Sequence, residues 1–194
     1  MKKIIFILGD SPFLGEIEGS IHYILDLYPS MGINNSIRRY NTGAHIFQDM
    51  KFVELTNSYP EIKTITLATY GDLIRKDNKE FFNSFPFDFK KDTELYRNGE
   101  LAWCGFTHDY AISYCIYKGY ENIVLVGAAD FTGSSHYLTK EEFKYSEKLK
   151  LMSKKFIEEV CSTKAKIYTC NPRSILDVPK VQISKFLETN FQEL

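Results

Sequence analysis

The chain has 194 residues, with 24 basic and 25 acidic side chains and a formal net charge of −1. Its hydrophobic fraction of 44%, with 15 Phe and 13 Tyr residues, supplies a core for one domain and excludes a disordered, collagen-like or coiled-coil chain. The balanced charge argues against nucleic acid as a partner, because nucleic-acid binders usually carry a clear basic excess. The longest apolar run, Ile4–Leu8, is far below the roughly 20 residues of a membrane span.

Alternating strand-like and helix-like patterns run along the chain. Continuous β-branched and aromatic runs predict strands, and apolar residues at helical spacing between them predict helices. The predicted strands are 3–8, 32–37, 44–48, 62–69, 122–126 and 166–170. The predicted helices are 17–28, 52–59, 102–118 and 141–160. Segment 71–99 has no sustained period and is interpreted as a flap or arm within the domain. The fold class is therefore α/β, a single Rossmann-like domain with a mainly parallel sheet flanked by helices.

Four cysteines are spread through the predicted helices and strands: Cys104, Cys115, Cys161 and Cys170. No C-x-x-C pair or clustered histidine accompanies them, so the usual structural zinc spacing is missing. Buried free thiols are the favoured interpretation. A reducing cytoplasm is the compartment that fits them.

In a parallel α/β sheet, ligands bind beyond the carboxyl ends of the strands. The loop Gly9-Asp10-Ser11-Pro12 follows the first strand, and a glycine there lets the backbone approach a ligand. The loop is neither a dinucleotide fingerprint nor a P-loop. An ordinary strand–turn–helix connection, capped by Ser11 or Asp10, is the alternative interpretation.

Two histidines are candidates for proton transfer. His136 lies in the Gly/Ser-rich loop after the predicted central strand, where an imidazole near its ordinary pKa of about 6.5 could act as a general base. His108 opens a predicted helix and is the second candidate. Asp10, Asp49 and Asp130 all end strands, where they could hold a metal or a ribose, although helix capping explains them equally well. We therefore predict no metal ligand.

Four segments resemble, in order, the bacterial sialyltransferases that use CMP-sialic acid, together with the related motility accessory factors and hydroxymethylpterin pyrophosphokinase-like proteins. GDSPFLGEI at 9–17 is similar to the sialyltransferase pattern G-N-G-P-S-L-x-E-I. FTHDYAISYCIYKGYENIVLVGAADF at 106–131 is similar to a T-S-G turn followed by a helix, Gly-Tyr, a strand and G-I-D-F. SSHY at 134–137 and NPRSIL at 171–176 resemble the end of the family's core.

The resemblance implies nucleotide binding at the carboxyl ends of the strands. Asn35 resembles the family's Asn beside the nucleotide, Asp49 stands where motility accessory factors commonly have Asp, and Thr107 corresponds to the Ser of the turn. The predicted nucleotide-binding residues are Gly9, Asp10, Ser11, Asn35, Asp49, Thr107, Gly127, Asp130 and Ser174.

The chain departs from the family pattern in three places. Only 132–134 separate the D-F element from S-H-Y, where the sialyltransferases have a lid of some tens of residues, so the lid is much reduced. Lys140 stands where the family has its catalytic-base histidine, and Cys104 stands near the place of an acceptor-binding arginine. Nucleotide binding therefore carries over from the family more fully than sialyl transfer does.

The predicted function is that of a metal-independent glycosyltransferase-like enzyme that uses a CMP-activated acidic sugar, sialic-acid-like or Kdo-like, in lipopolysaccharide or capsule biosynthesis. Its catalytic residues would be His136 and, second, His108, with no cofactor beyond the donor. One alternative is a pyrophosphokinase-like enzyme that uses ATP and Mg²⁺, with Asp10, Asp49 or Asp130 facing the metal. The other alternative is a non-catalytic nucleotide-binding relative.

The expected partners are a nucleotide-sugar donor and a glycan acceptor in the cytoplasm. No transmembrane segment is expected, and peripheral membrane association and a homo-oligomer both stay open. The aromatic segment 81–89 is either a contact surface between copies or part of the domain's own core.

Overall fold

The fold was analysed in a computed structural model that describes residues 3–131 and 146–184. Its strands are β1 (Ile4–Leu8), β2 (Ser30–Ile33), β3 (Ala44–Ile46), β4 (Lys63–Thr66), β5 (Lys79–Phe81), β6 (Asn83–Pro86), β7 (Tyr96–Arg97), β8 (Glu100–Trp103), β9 (Asn122–Val126) and β10 (Lys166–Thr169). Its α-helices are α1 (Leu14–Leu27), α2 (Val53–Asn57), α3 (Thr107–Tyr117) and α4 (Glu147–Lys155). Short 3-10 and π turns fill several of the connections.

Seven strands form one sheet in the order β10-β9-β1-β2-β3-β4-β5, and every neighbouring pair is parallel. The two central strands, β1 and β9, are buried along their whole length. Their continuous apolar sequences arise because a parallel sheet is covered on both faces. The predicted α/β, Rossmann-like fold with a mainly parallel sheet is confirmed.

Alternate residues of the central strands enter two separate cores. Ile5 and Ile7 of β1 pack in one cluster with Tyr110 and other residues of α3. Phe6 and Leu8 of the same strand belong to a second cluster that includes apolar residues of α1. Successive side chains point to opposite faces of a strand, so α1 and α3 cover opposite faces of the sheet.

The helix predicted over 102–118 is wrong at its beginning. Ala102 and Trp103 belong to β8, which pairs with β6 in a second, three-stranded sheet of order β6-β8-β7. The chain then turns at Gly105, whose φ is +116°, and α3 begins at Thr107. A four-residue strand is too short for its pattern to be separated from the helix that follows it.

The strand predicted over 32–37 is wrong at both ends, because β2 begins at Ser30 and ends at Ile33. The extended backbone ends at Ile33, and Asn34 has a φ of +52°, after which the chain forms a 3-10 turn over Asn34–Arg38. Asparagine is one of the few residues with a side chain that tolerates this left-handed conformation. The turn therefore carries Asn35 and Ser36 across the carboxyl end of β2.

Segment 71–99, predicted as a flap or arm, contributes the edge strand β5 and the strands β6 and β7. Phe82, Phe85 and Phe87 are buried in the same core cluster as α3. The phenylalanines of 81–89 therefore serve the domain's own core, the second of the two interpretations of this segment.

The predicted helix 141–160 begins before the second described range. From Glu147 it is α-helical, and its last turn, Phe156–Val160, is a π-helix. The proposed reduced lid, His136 and Lys140 lie outside the described residues. Among the helices of 3–131 and 146–184, none is long and apolar enough to cross a membrane.

Candidate functional site

The connections on the two sides of β1 leave the sheet in opposite directions. α1 follows β1 on one face and leads to β2, whereas the connection from β9 to β10 includes Phe156, Ile157 and Cys161, which pack on the other face. Such a change of direction opens a crevice at the carboxyl ends of the two strands, and ligands of open α/β sheets bind there. The loops that follow β1 and β9 are therefore the walls of the candidate site.

These two loops are in close backbone contact. The N–H of Ser11 donates to the carbonyl of Gly127 at 3.1 Å. A Cβ added to Gly9 would lie 2.1 Å from that carbonyl oxygen and 2.7 Å from Cα of Ala128. Gly127 has a φ of +64°, and a Cβ there would lie 2.7 Å from the side chain of Leu14. Both predicted glycines are thus required by the packing of the crevice wall.

The carboxylate of Asp130 ties three strand ends together. Ser11, after β1, donates its hydroxyl proton to Oδ2 of Asp130 at 2.8 Å. Thr169, the last residue of β10, donates to Oδ1 at 3.4 Å. The side chain of Asn171 is a third hydrogen-bond partner of the carboxylate. Asp130 is only 2% exposed, so this network lies at the base of the crevice.

Burial raises the pKa of Asp130 to about 6, against the hydrogen bonds from Ser11, Asn171 and Thr169 and the charge of Arg173, which lower it. Desolvation disfavours the charged form of a carboxyl group. Asp130 therefore changes its protonation state close to neutral pH. In the ionised form it accepts hydrogen bonds only, and in the protonated form it can also donate one.

The beginning of α3 lies beside the same crevice, since the rings of His108 and Phe131 are 5.3 Å apart. Asp109 turns back and accepts hydrogen bonds from the backbone N–H groups of Cys104 and Phe106 at 3.1 Å each. Within the described part of the chain, the N–H groups of Thr107 and His108 donate to no other residue. Free N–H groups at a helix N-terminus attract anions.

A buried chain of hydrogen bonds runs from the His108 ring into the protein. Oγ of Ser153, on α4, donates to Oδ1 of Asp109, so it accepts the proton of Nε2 of His108 at 3.0 Å. While Asp109 is ionised, this arrangement places the imidazole proton on Nε2 and leaves the lone pair of Nδ1 without a partner among the described residues. Phe106 stacks on the ring at 5.0 Å between centroids and fixes its orientation.

The protonation of this chain is set by burial. Desolvation lowers the pKa of His108 to about 3, so the ring is neutral at physiological pH. It also raises the pKa of Asp109 to about 7, although hydrogen bonds from Ser153, Phe106 and Cys104 lower it. The neutral imidazole of His108 is therefore a weak base, whereas the carboxyl group of Asp109 can be protonated near neutral pH. Together, the three side chains could move a proton from Nδ1 toward Asp109.

The other predicted nucleotide-binding residues occupy less convergent places. Asn35 is buried, and its Oδ1 accepts from Nε of Arg38 at 3.4 Å. Asp49 is exposed after β3. Ser174 is buried, but its Oγ accepts from the N–H of Leu176 within its own turn.

Gly9, Asp10, Ser11, Gly127 and Asp130 meet at the ends of β1 and β9. Thr107 and His108 adjoin this group through Phe131. Among the residues of the two described ranges, no three or more His, Cys, Asp or Glu side chains form a group that could hold a metal ion.

Sequence reasoning missed Ser153 and Thr169. Ser153 is a fully buried polar residue within a highly charged helical segment, and nothing in the sequence distinguishes it from solvated neighbours. Thr169 was available, because it lies one residue before the end of the predicted strand 166–170, at the same edge of the sheet as Asp130. His45, in contrast, is structural, with Nδ1 at 2.9 Å from Oγ1 of Thr56 and Nε2 at 2.7 Å from the carbonyl of Asn34.

Comparisons with protein-family models, with curated proteins and with solved structures found no match to this chain.

Proposed function

We propose that the crevice at the ends of β1 and β9 binds the cytidine nucleotide of an activated acidic sugar, and that the protein transfers this sugar to a glycan acceptor without a metal ion. One observation carries the proposal. At the topological switch point, the start of α3 has two N–H groups and Nδ1 of His108 that bond no residue of 3–131 or 146–184, and it adjoins the Asp130 network through the contact of His108 with Phe131. The resemblance of 9–17 and 106–131 to CMP-sialic-acid-dependent transferases supports the choice of a cytidine nucleotide.

The nucleotide phosphate would lie at the start of α3. The N–H groups of Thr107 and His108 and the hydroxyl of Thr107 can donate to phosphate oxygens, which must be stabilised as the CMP group leaves. The ribose and base would lie between the loops after β1 and β9, where the hydroxyl oxygen of Ser11 and the carboxylate of Asp130 can accept hydrogen bonds from ribose hydroxyls. Because Gly9 and Gly127 have no side chains, the two loops that form the wall of the crevice can lie close together.

The reaction also needs a base for the acceptor hydroxyl. His136, which lies outside the described residues, is one proton acceptor of this proposal. His108 is the other, because its neutral ring has a lone pair at Nδ1 that accepts from none of the residues that the structure describes. A proton taken up there would displace the Nε2 proton toward Ser153, and the Ser153 proton would pass to Asp109. The acid limb of the rate profile would then report the ionisation of Asp109 near pH 7, with activity lost at lower pH.

Calorimetric titration with CMP, AMP, GMP and UMP tests nucleotide recognition. The proposal predicts that CMP binds most tightly and that Ser11→Ala weakens CMP binding about fivefold to tenfold, because the loss of one hydrogen bond is worth about 1 kcal/mol. Ser20→Ala, a change at a half-buried serine on the following helix, is the matched control and should leave the affinity unchanged. Equal affinity for all four nucleotides would contradict the proposal.

Transfer is tested with one donor, a CMP-activated acidic sugar, and with two histidine variants in the same assay. Whichever of His136→Ala and His108→Ala removes the base should lower kcat/KM by about 10²–10⁴-fold, the usual contribution of a positioned proton acceptor. CMP affinity should stay within a few-fold of wild type in both variants. If CMP binds but neither donor hydrolysis nor transfer is detected, the chain is a nucleotide-binding protein. Magnesium-dependent ATP binding would instead favour a pyrophosphokinase.

A further inference from the structure

A second cavity lies at the opposite edge of the sheet, where the strands begin. It has a volume of about 350 Å³, within the range of small-molecule sites. The first residues of β1, β2, β3 and β4 form one wall, and the last turn of α3 forms the other. The carboxyl-edge crevice is at the far end of the same strands, so the two places can be occupied independently.

Three lysines line this cavity: Lys3, Lys63 and Lys118. Nζ of Lys63 and Nζ of Lys118 bind opposite oxygens of Glu80, the latter at 2.9 Å. Burial opposes ionisation of Glu80, but hydrogen bonds from Lys63, Lys118 and Tyr114 lower its pKa below the ordinary value. Glu80 is therefore a carboxylate, and it neutralises one of three ammonium charges.

Each of the three ammonium groups has N–H donors that make no hydrogen bond to a described residue. Nζ of Lys3 donates to the carbonyl of Lys118 at 2.6 Å and lies over the ring of Tyr120. Lys63 and Lys118 each donate one hydrogen bond, to Glu80, in the described part of the chain. An ammonium group carries three N–H donors. Two donors on each lysine are thus available, in a concave place with an excess of two positive charges.

We propose that this cavity is a binding site for a small molecule that carries a phosphate monoester. A phosphate monoester near neutral pH carries nearly two negative charges and would balance the excess. Lysines bind phosphate as point charges, without the fixed geometry of arginine. A narrow cavity walled by protein also concentrates the field of its charges. The proposal is independent of the function proposed for the carboxyl edge.

Titration with ribose 5-phosphate, inorganic phosphate and ribose tests the site, with binding followed by calorimetry. We expect ribose 5-phosphate to bind more tightly than inorganic phosphate, since the cavity exceeds the size of the ion, and ribose not to bind. Tighter binding of inorganic phosphate than of ribose 5-phosphate would overturn the assignment of a phosphorylated metabolite. Lys63→Gln should weaken ribose 5-phosphate binding about tenfold, and Lys180→Gln, a change at an exposed lysine outside the cavity, should not.

Glu80→Gln is the decisive variant, because it removes the carboxylate that competes with the ligand. The proposal predicts that ribose 5-phosphate binds several-fold more tightly to Glu80→Gln than to wild type. Equal weakening by Lys63→Gln and Lys180→Gln, or weaker binding to Glu80→Gln, would overturn the proposal. Circular dichroism and unfolding curves confirm that each variant is folded. If Lys63→Gln does not fold, Lys3→Gln takes its place, since that side chain lies at the surface.

Discussion

The two edges of the parallel sheet offer negative groups different kinds of partner. At the carboxyl edge, backbone N–H groups, hydroxyls and an amide surround two buried carboxyl groups, Asp109 and Asp130. At the amino edge, three lysines line the cavity, and two of them, Lys63 and Lys118, bind one carboxylate, Glu80. The first edge can bind an anion through dipoles held in place by the fold, whereas the second relies on whole charges on flexible side chains. The difference predicts that the carboxyl edge selects a ligand by its shape, whereas the amino edge attracts a ligand by its charge.

Gly9→Ala should have the largest effect on stability, because it disrupts the packing of the two loops at the carboxyl edge. The new Cβ would lie 2.1 Å from a backbone oxygen between two central strands, where neither strand can move away. We expect a loss of about 3 kcal/mol or more of unfolding free energy, or failure to fold. Denaturant unfolding measures it.

Gly19→Ala is the matched control for that variant. Gly19 lies on α1 with open space where its Cβ would be, so alanine should stabilise the protein by about 0.5–1 kcal/mol. Equal stability of the two variants would show that the close approach of the β1 and β9 loops is not required.

Asp130→Asn should change how the stability of the protein depends on pH. The pKa of Asp130 is raised from 3.8 to about 6 in the folded protein, so the folded state holds a proton that the unfolded state has lost between these values. Wild type should therefore lose stability relative to Asp130→Asn as the pH rises from 4 to 7. The expected change is about 3 kcal/mol, from two pKa units.

Urea unfolding of both proteins at pH 4 and pH 8 measures this difference. The amide changes the hydrogen bonds at this position equally at pH 4 and pH 8. The change in the stability difference between the two proteins, from one pH to the other, therefore reports the ionisation of the Asp130 carboxyl group. A difference that stays constant between pH 4 and pH 8 would contradict the buried, proton-holding Asp130.

Ser153→Ala should lower the unfolding free energy by about 1–3 kcal/mol, because it removes the partner of a buried carboxyl oxygen and of a ring N–H. Ser162→Ala, on an exposed serine nine residues further along, should change it by less than about 0.5 kcal/mol. Thermal and denaturant unfolding compare the two variants. An unchanged unfolding free energy in Ser153→Ala would contradict the hydrogen-bond chain from His108 to Asp109.

The smallest expected effect is a difference between the two edges in how ligand binding depends on salt concentration. Raising the NaCl concentration from 50 to 500 mM shortens the screening length to a few Å, which weakens attraction between partly exposed charges. Binding of ribose 5-phosphate at the amino edge should fall several-fold. CMP binding to Lys63→Gln protein, in which phosphate binding at the amino edge is weakened, should fall by a smaller factor. The same salt dependence at both edges would remove the distinction between them.

The sequence predicted the centre of the fold better than its margins. Continuous apolar runs identify β1 and β9, and the rule that ligands bind at the carboxyl ends of parallel strands brings Ser11 and Asp130 to one edge although 119 residues separate them. Pattern reasoning could not separate β8 from α3, because a strand of four residues has too few alternations to be recognised.

The polar interior was the part that the sequence could not reveal. Ser153 meets Asp109 across 44 residues, and its burial depends on how α4 packs over α3. The lysine cavity arises in the same way, because Lys3, Lys63 and Lys118 come from three elements that meet only in the folded sheet. Local pattern describes which face of one element is apolar, and it carries no information on which buried polar groups become partners.

The central claim is that the carboxyl-edge crevice recognises a cytidine nucleotide. Backbone amide NMR of Lys63→Gln protein during titration with CMP tests it most directly, because this background weakens phosphate binding at the amino edge. The account predicts saturable shifts largest at 9–11, 105–108 and 127–131, with much smaller shifts for an equal concentration of AMP. Shifts of equal size with both nucleotides, no saturable shift, or shifts confined to the beginnings of β1, β2 and β4 would contradict it.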